Sequence, residues 1–369
     1  KKSEEAILEE IRWLQAEAII TIATKHEIAI SKAPGIATVI TASQIKQMGF
    51  RKLVDVLKIV PGVDVSMSTS GTRRIAVRGT GFQNSERVRV LIDGHAVNDP
   101  FWGGAMNNFD DLVVENIKRV EVIRGPGSAL YGKNAFAGVV NVVTKDTDDI
   151  DGIQWTVGGG EFETQNYNML FGKEYGDLKI SGFSDFYDTQ GFSRKVERDN
   201  LFPSSFSMSP GRSHNKKEKL DLNLKLSYKN LEIKGKYMKK RREAYIGIDS
   251  SLTDDNTIKD TYIFTELVYN SLSLGEKLNM IPKVYYDQYN YDTYLEIRPN
   301  GFMPNAFVTY PDGYTGRALA KERTLGFEDQ FNYNVFDGNR LTFGFQYEWI
   351  HQNDVRSSEY TFDPSNSFL

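Results

Sequence analysis

The residues whose spacing most suggests chemistry lie at positions 127–133, GSALYGK, and they fit the G-x-x-x-x-G-K pattern of phosphate-binding loops. In such loops backbone amides hold the phosphates, a hydroxyl residue after the lysine holds Mg²⁺, and a helix begins at the loop. Here Asn134 follows Lys133, and the next residues, AFAGVVNVV, predict a strand because valine dominates them. The pattern is therefore a weak indication of a nucleotide-binding enzyme, which a nucleotide-binding assay would detect.

Thiol and imidazole chemistry have few candidates among the 369 residues. The chain has no cysteine, which excludes disulfides, thiolate–zinc sites and thiol catalysis. The histidines, His26, His95, His214 and His351, are far apart in sequence, which argues against a metal or hydrolase centre built on them. The net charge of −4 argues against nucleic-acid binding. We expect no catalytic residues, no bound metal, no cofactor and no enzyme activity.

Aromatic and cationic residues on loops are the remaining candidates for a binding site. Residues 98–108, NDPFWGGAMNN, place Phe101 and Trp102 beside two glycines, as at the apex of a binding loop. The same two aromatic side chains could equally pin the loop to the scaffold. Residues 66–72 form a polar loop, and Arg73 follows it. We predict that Phe101, Trp102 and Arg73 contact a ligand.

The N-terminal part of the chain mixes strand and helix signals. Runs with strand patterns lie at residues 36–41, 75–79, 88–93, 120–123 and 139–143. Thr41 and Gln44 form a capping-box pair for a helix that ends at Gly49, and a second helix precedes Pro61. We predict an α+β domain over residues 25–148, a size of about 120 residues that suits one domain.

Beyond an acidic linker at residues 146–151 the pattern changes to strict alternation. The alternating apolar positions are Leu220, Leu222, Leu224, Leu226 and Tyr228 in one run and Leu341, Phe343, Phe345, Tyr347 and Trp349 in another. Runs of ~9–11 residues are the length that a tilted strand needs to cross a bilayer. Tight turns connect these runs at one end and long polar loops, at 190–217, 243–259 and 293–322, connect them at the other, as in outer-membrane barrels. Residues 149–369 are therefore predicted to form antiparallel transmembrane strands.

The strand count indicates a barrel that is present only in part. About nine strands fit the pattern, and an odd number that leaves an open edge at membrane depth cannot close such a barrel. The alternative is a soluble β-rich binding or adhesion protein, whose strands are usually shorter. Whether extraction needs detergent distinguishes the two.

Residues 119–145, RVEVIRGPGSALYGKNAFAGVVNVVTK, closely resemble the end of the plug domain of TonB-dependent outer-membrane transporters. IAVRG at 75–79 and VRVLID at 88–93 resemble two further plug signatures of that family. The resemblance implies an α+β N-terminal plug followed by an antiparallel transmembrane β-barrel, with about nine of the 22 strands that such plugged barrels have. It also implies a location in the bacterial cell outer membrane, in contact with its lipid.

The resemblance extends to the N-terminal tail, residues 1–24. EAIITIA, which comprises Glu17, Ala18, Ile19, Ile20, Thr21, Ile22 and Ala23, resembles the Ton box of the family but departs from it at positions 18 and 22. Such a segment can add as a strand to the partner protein TonB. The alternative for this segment is an ordinary first strand of the plug. Residues 3–16 predict either an amphipathic helix or a frayed tail.

The family resemblance implies a function. A TonB-dependent transporter takes up a scarce nutrient chelate, a ferric siderophore first and cobalamin or haem as alternatives, while TonB and its inner-membrane energising complex pull on the Ton box. Arg78 and Arg124 fall on plug arginines that, in this family, lock against barrel glutamates. About 16 residues precede the Ton box. We therefore expect neither the extra domain of signal-transducing receptors nor the N-terminal extension of polysaccharide transporters.

Overall fold

A computed structural model describes residues 19–21, 28–29, 35–80, 84–247, 249–305, 308–336 and 339–360. The helix predicted over residues 3–16 and the Ton-box residues Glu17, Ala18, Ile22 and Ala23 lie outside the described residues. The chain divides into two compact units, Lys1–Ser66 with Arg74–Thr144 and Met67–Arg73 with Lys145–Leu369. The domain bounds given above remain predictions.

The first unit is built on a five-stranded mixed sheet. The described strands of this part of the chain, inside and outside that sheet, are β1 (Ile19–Ile20), β2 (Ile28–Ala29), β3 (Ile36–Thr41), β4 (Val63–Met67), β5 (Arg73–Val77), β6 (Val88–Ile92), β7 (His95–Ala96), β8 (Ile117–Arg124) and β9 (Gly138–Thr144). The sheet order is β3-β8-β9-β6-β7, in which only the β6–β9 pair is parallel. The β1–β2 and β4–β5 pairs stand outside it.

Short helices complete this unit, and their ends follow the sequence signals. They are α1 (Ala42–Gln47), α2 (Leu53–Lys58), α3 (Met106–Phe109), α4 (Ser128–Tyr131) and a 3₁₀ turn at Val114–Asn116. The predicted capping box is confirmed, because the amide of Gln44 donates to the Thr41 hydroxyl and the Gln44 side chain accepts from the Thr41 amide. Across the described residues, no helix is long and apolar enough to cross a membrane.

The second unit is an antiparallel meander. Its strands are β10 (Gly152–Gly160), β11 (Thr164–Tyr175), β12 (Leu178–Thr189), β13 (Lys195–Val196), β14 (Gly211–Arg212), β15 (Lys217–Tyr228), β16 (Leu231–Arg242), β17 (Asn256–Tyr269), β18 (Leu272–Leu274), β19 (Leu278–Arg298), β20 (Phe302–Asn305), β21 (Val308–Tyr310), β22 (Tyr314–Phe336) and β23 (Asn339–Tyr360). In the described part, nine strands pair in the order β10-β11-β12-β15-β16-β17-β19-β22-β23, and β18 adds to β19. The predicted antiparallel sheet of about nine strands is confirmed.

The long strands β19 and β22 correct one predicted loop. The polar composition of residues 293–322 predicted a loop, but only residues 299–313 connect these two strands. Thr293 pairs with Ala318 and accepts a hydrogen bond from its amide at 3.1 Å, while Arg317 binds Asp292 at 3.0 Å. The prediction was wrong because polar side chains that bond across a ladder have the same composition as a solvated loop.

The two faces of the second sheet are the reverse of those in a water-soluble protein. In β15 the Leu222 and Leu224 side chains are 38% and 49% exposed, whereas Lys219 and Asp221 are 2% and 0% exposed. A sheet in water buries its apolar face and solvates its polar face. An outward apolar face and a buried polar face fit strands whose outer solvent is lipid.

Ion pairs connect neighbouring strands on the buried face. Lys219 lies 2.9 Å from Asp185, Lys236 lies 2.5 Å from Asp221, Lys234 lies 3.0 Å from Glu266, and Lys283 lies 2.9 Å from Glu328. Burial makes a lone charge costly, so each cation requires its carboxylate. These pairs join strands from β12 to β22 at their polar side.

We expect Lys236→Met to lower the free energy of unfolding by ~3–5 kcal/mol, because it leaves the carboxylate of Asp221 buried without its cation. Adding Asp221→Leu should recover most of that loss. Urea unfolding in detergent micelles, followed by circular dichroism, measures both variants. As a control, Lys173→Met removes an exposed pair with Asp151 and should leave the unfolding midpoint unchanged. Equal losses for Lys236→Met and the double variant would contradict the pairing.

The glycine-rich stretch at 127–133 is not a phosphate loop. It forms the four-residue helix α4, and the chain then enters strand β9, so no long helix begins at the motif. Gly132 ends α4 with φ +62°, a conformation that strains a residue with a Cβ atom. Lys133 is exposed on the turn that follows.

Gly132→Val should therefore destabilise the protein by ~1 kcal/mol or more and reduce uptake, whereas Lys133→Ala should change neither stability nor uptake. Calorimetric titration with ATP should show no binding to any of the three proteins. ATP affinity in the parent that is lost in Lys133→Ala would restore the nucleotide-binding interpretation.

Candidate functional site

Three of the seven predicted Ton-box residues, Ile19, Ile20 and Thr21, are described, and they lie against the first unit. Ile19 and Ile20 pair antiparallel with residues 28–29. The Ile20 side chain is 0% exposed and packs in an apolar cluster with Leu91, Ala135 and Val139. Full burial of a β-branched side chain in such a cluster stabilises the docked position of this segment.

Polar contacts hold the next residue, Thr21, to a buried carboxylate. The Thr21 amide donates to Glu121 Oε2 at 3.1 Å, and the Thr21 hydroxyl donates to Oε1 at 3.3 Å. Arg119 Nε binds the same carboxylate at 2.7 Å, and its Nη2 donates to the Thr21 hydroxyl at 3.1 Å. Asn141 Nδ2 completes the set at 3.3 Å from Glu121 Oε2. We call Thr21, Arg119, Glu121 and Asn141 the Glu121 cluster.

The local strand pattern explains how the cluster forms. Arg119 and Glu121 are two residues apart in β8 and therefore point to the same face, and Asn141 of β9 is the register partner of Glu121. Sequence reasoning missed these three residues. The available signal was the pair of opposite charges in RVEV, because a charge inside an otherwise β-branched central strand requires a polar partner.

Hydrogen bonds hold the base of the predicted ligand-binding loop, residues 98–108. The Asn98 side chain accepts from the Val90 amide at 2.8 Å and donates to the Gly103 carbonyl at 3.0 Å. A Cβ atom on Gly104 would lie 1.8 Å from the Asn84 carbonyl oxygen, so the loop requires glycine there. The rings of Phe101 and Trp102 are half-buried and meet edge to face at 4.7 Å. Their proposed contact with a ligand stays a prediction.

Arg73 ends a polar turn that belongs to the second unit. Arg242 of β16 donates to the Ser70 carbonyl at 2.7 Å and to the Thr72 hydroxyl at 2.9 Å. The Ile246 amide donates to the Thr69 carbonyl at 2.8 Å. Residues 67–73 are therefore fixed by backbone and side-chain bonds, and the half-buried Arg73 stays a predicted ligand contact.

The two predicted lock arginines meet at one turn of the first unit. Arg124 Nη1 donates to the Pro61 carbonyl at 2.6 Å, and its Nη2 donates to the Thr38 hydroxyl at 3.2 Å. The Arg78 amide donates to the Gly62 carbonyl at 2.8 Å, while its side chain is exposed. Pairing of these arginines with barrel glutamates remains a prediction.

The loops of the second unit enclose an acidic cavity of about 500 Å³, which sequence reasoning missed. Its lining includes Phe206, Asp254, Asp255, Tyr294, Glu296 and Asp312. The Glu296 carboxylate accepts hydrogen bonds from the amides of Asp254 and Asp255 at 3.0 and 3.1 Å. The residues come from three separate loops and from the end of strand β19, so no single stretch of sequence indicates them.

Asp199 organises the longest of these loops. Its Oδ1 accepts from the Ser207 hydroxyl at 2.6 Å, and its Oδ2 accepts from the Leu252 amide at 3.0 Å. Burial acts to raise the pKa of Asp199, but the hydrogen bonds from Ser207, Leu252 and their neighbours hold that pKa below its ordinary 3.8. A depressed carboxyl pKa stabilises the fold above the unfolded value, and that contribution is lost as pH falls through the folded value.

We therefore expect Asp199→Asn to make residues 190–216 more susceptible to protease at neutral pH, because the amide cannot accept all of these bonds. In the parent, susceptibility should rise only as pH falls below about 3.8, the ordinary pKa of the carboxyl group. Limited proteolysis with an acid-active protease measures both. Glu197→Gln, which removes an exposed pair with Lys195, is the control and should behave as the parent. Unchanged cleavage of Asp199→Asn would contradict this role.

Comparison with known proteins identifies the family of the first part of the chain. Residues 29–139 match the family model described as TonB-dependent Receptor Plug Domain. The vitamin B12 transporter BtuB of Vibrio vulnificus strain CMCP6 is 34% identical over 200 residues, which covers 51% of this chain and 32% of that protein.

Two solved structures share the fold at low identity. The pyoverdine outer membrane receptor FpvA from Pseudomonas aeruginosa PAO1, bound to pyoverdine, matches with a TM-score of 0.63 at 15% identity over 94% of this chain and 50% of that chain. The ferric-catecholate import receptor Fiu from E. coli K12 gives 0.61 at 16% identity over 88% and 50%.

The chain thus spans a third to a half of the length of these relatives. They are described as a transporter and receptors, so the family-level indication is against an enzyme. Residues 29–139 are a TonB-dependent receptor plug domain, and the antiparallel strands that follow have the fold of the outer-membrane barrels of that family, which places the chain in the bacterial outer membrane.

Proposed function

We propose that the protein is a TonB-dependent transporter that imports a scarce metal chelate across the outer membrane. The observation that carries the proposal is the docked segment Ile19–Thr21, a β-branched strand held on the plug by one apolar side chain and one carboxylate. A segment of this kind can leave its site and add as a strand to TonB, where backbone hydrogen bonds supply the affinity.

The proposed mechanism couples two sites. A chelate binds at the loop of Phe101 and Trp102 and near Arg73, and its binding favours release of the Ton box toward TonB. Because the outer membrane has no nucleotide supply, TonB and its inner-membrane complex provide the energy by pulling on residues 17–23. Reciprocity then requires that TonB binding change ligand affinity by the same factor.

The chelate proposed first is a ferric siderophore, and haem is a further alternative. The two solved relatives are described as a pyoverdine receptor and a ferric-catecholate import receptor, but their identities of 15% and 16% support the fold rather than the substrate. Cobalamin is the second candidate, because the vitamin B12 transporter is 34% identical over 200 residues. Growth of a deletion strain on separate iron and cobalamin sources distinguishes the candidates.

Ile20→Pro should abolish uptake while ligand binding at the cell surface persists, because proline removes the amide donor and fixes φ in the segment that pairs with TonB. Uptake of labelled chelate and surface binding are measured on the same cells, with protein amounts matched. Ile20→Val keeps the amide and the β-branched shape, and it should transport normally. Undiminished uptake by the proline variant would remove residues 17–23 from the coupling role.

A further inference from the structure

We propose that Glu121 is a positioning residue that keeps the TonB-binding segment docked, and that its bonds to Thr21 set how often this segment is free. The inference rests on the proposed function, since it assigns the regulation of the same segment. It concerns residues of the plug other than those of the predicted chelate loop and the predicted lock arginines.

Burial makes the Glu121 carboxylate depend on its donors. Its side chain is 0% exposed, and its register partner in β3 is the apolar Val39. A buried carboxylate without hydrogen bonds is strongly destabilising, and bonds to a charged acceptor are stronger than bonds between neutral groups. Thr21 supplies two of the donors to this carboxylate, one from its amide and one from its hydroxyl.

The distribution of these donors makes release reversible. When Thr21 leaves, Arg119 and Asn141 still donate to Glu121 from within the sheet. The carboxylate therefore keeps part of its hydrogen bonding, and the plug has no need to unfold. Departure of the Ile20 side chain uncovers the apolar cluster that includes Leu91, Ala135 and Val139. One buried side chain and two hydrogen bonds to Glu121 therefore hold the segment, and both can be broken while the sheet stays folded.

This arrangement has a quantitative consequence for TonB. A partner that pairs with the backbone of residue 20 can bind only the undocked form, because Ile20 is fully buried in the docked form. Its apparent dissociation constant is the intrinsic constant divided by the fraction of undocked chains. A substitution at Glu121 should thus tighten TonB binding without touching TonB.

Thiol labelling measures the undocked fraction directly, since the chain contains no cysteine. Ile20→Cys is introduced into the full chain in isolated outer membranes, and its rate of reaction with a maleimide is recorded. We expect Glu121→Gln to raise that rate by about tenfold or more, since each hydrogen bond to a charged group contributes at least that factor. Thr21→Val removes the hydroxyl without changing shape, and it should raise the rate as well.

Controls separate release from unfolding. Asp55→Asn removes a carboxylate of the same unit that forms an exposed pair with Lys58, and it should leave the labelling rate unchanged. Amide exchange in β8 and β9 should stay slow in Glu121→Gln, which shows that the sheet remains folded. If Glu121→Gln fails to accumulate, Thr21→Val tests the same bonds.

The outcomes distinguish the two proposals. Labelling that is no faster in Glu121→Gln and Thr21→Val than in Asp55→Asn overturns the role of Glu121, whatever the uptake results are. Faster labelling with tighter binding of the TonB C-terminal domain supports it. Faster labelling together with normal uptake by Ile20→Pro would keep the docking role of Glu121 but remove the Ton-box assignment.

Discussion

The outward orientation of the apolar side chains determines the strand pairing and the ion pairs of the second unit. In hydrocarbon every backbone polar group must bond within the protein, so neighbouring strands form long ladders and place apolar side chains such as Leu222 and Leu224 on the outer face. Charged residues such as Lys219, Lys236 and Lys283 lie on the opposite face, where each meets a carboxylate. The ion pairs are a consequence of the inverted alternation, and they favour one register between neighbouring strands.

One strand, β8, organises the first unit. Its end contributes Arg124, which bonds to the turn at Pro61 and to Thr38 of β3. Its middle contributes Arg119 and Glu121, which hold the N-terminal segment. A central strand is a rigid element, so a change at either group of contacts can be transmitted along it without unfolding of the sheet. Contiguity of this kind permits coupling but does not measure it.

The sequence predicted those features that depend on neighbours in the chain. The capping box of Thr41 and the alternation in β15 depend on residues two or three positions apart, so local pattern was sufficient. Features that depend on distant partners were not predictable. Glu121 contacts Thr21 across 100 positions, and residues 293–322 resembled a loop because the pairing partners of their polar residues lie in another strand. The acidic cavity depends on three loops and the end of β19, which only the fold brings together.

The last three strands differ from the others in length. β19, β22 and β23 have 21, 23 and 22 residues, whereas ~9–11 are enough to cross the bilayer. About ten residues of each therefore continue beyond the hydrocarbon, some 33 Å of paired strand at about 3.3 Å per residue. A protease must first separate a strand from its hydrogen-bonded neighbours before it can cleave a peptide bond in these extended ladders. Cleavage at this surface is thus directed to connecting segments without strand pairing, such as residues 197–210, where a cut leaves the long paired strands in place.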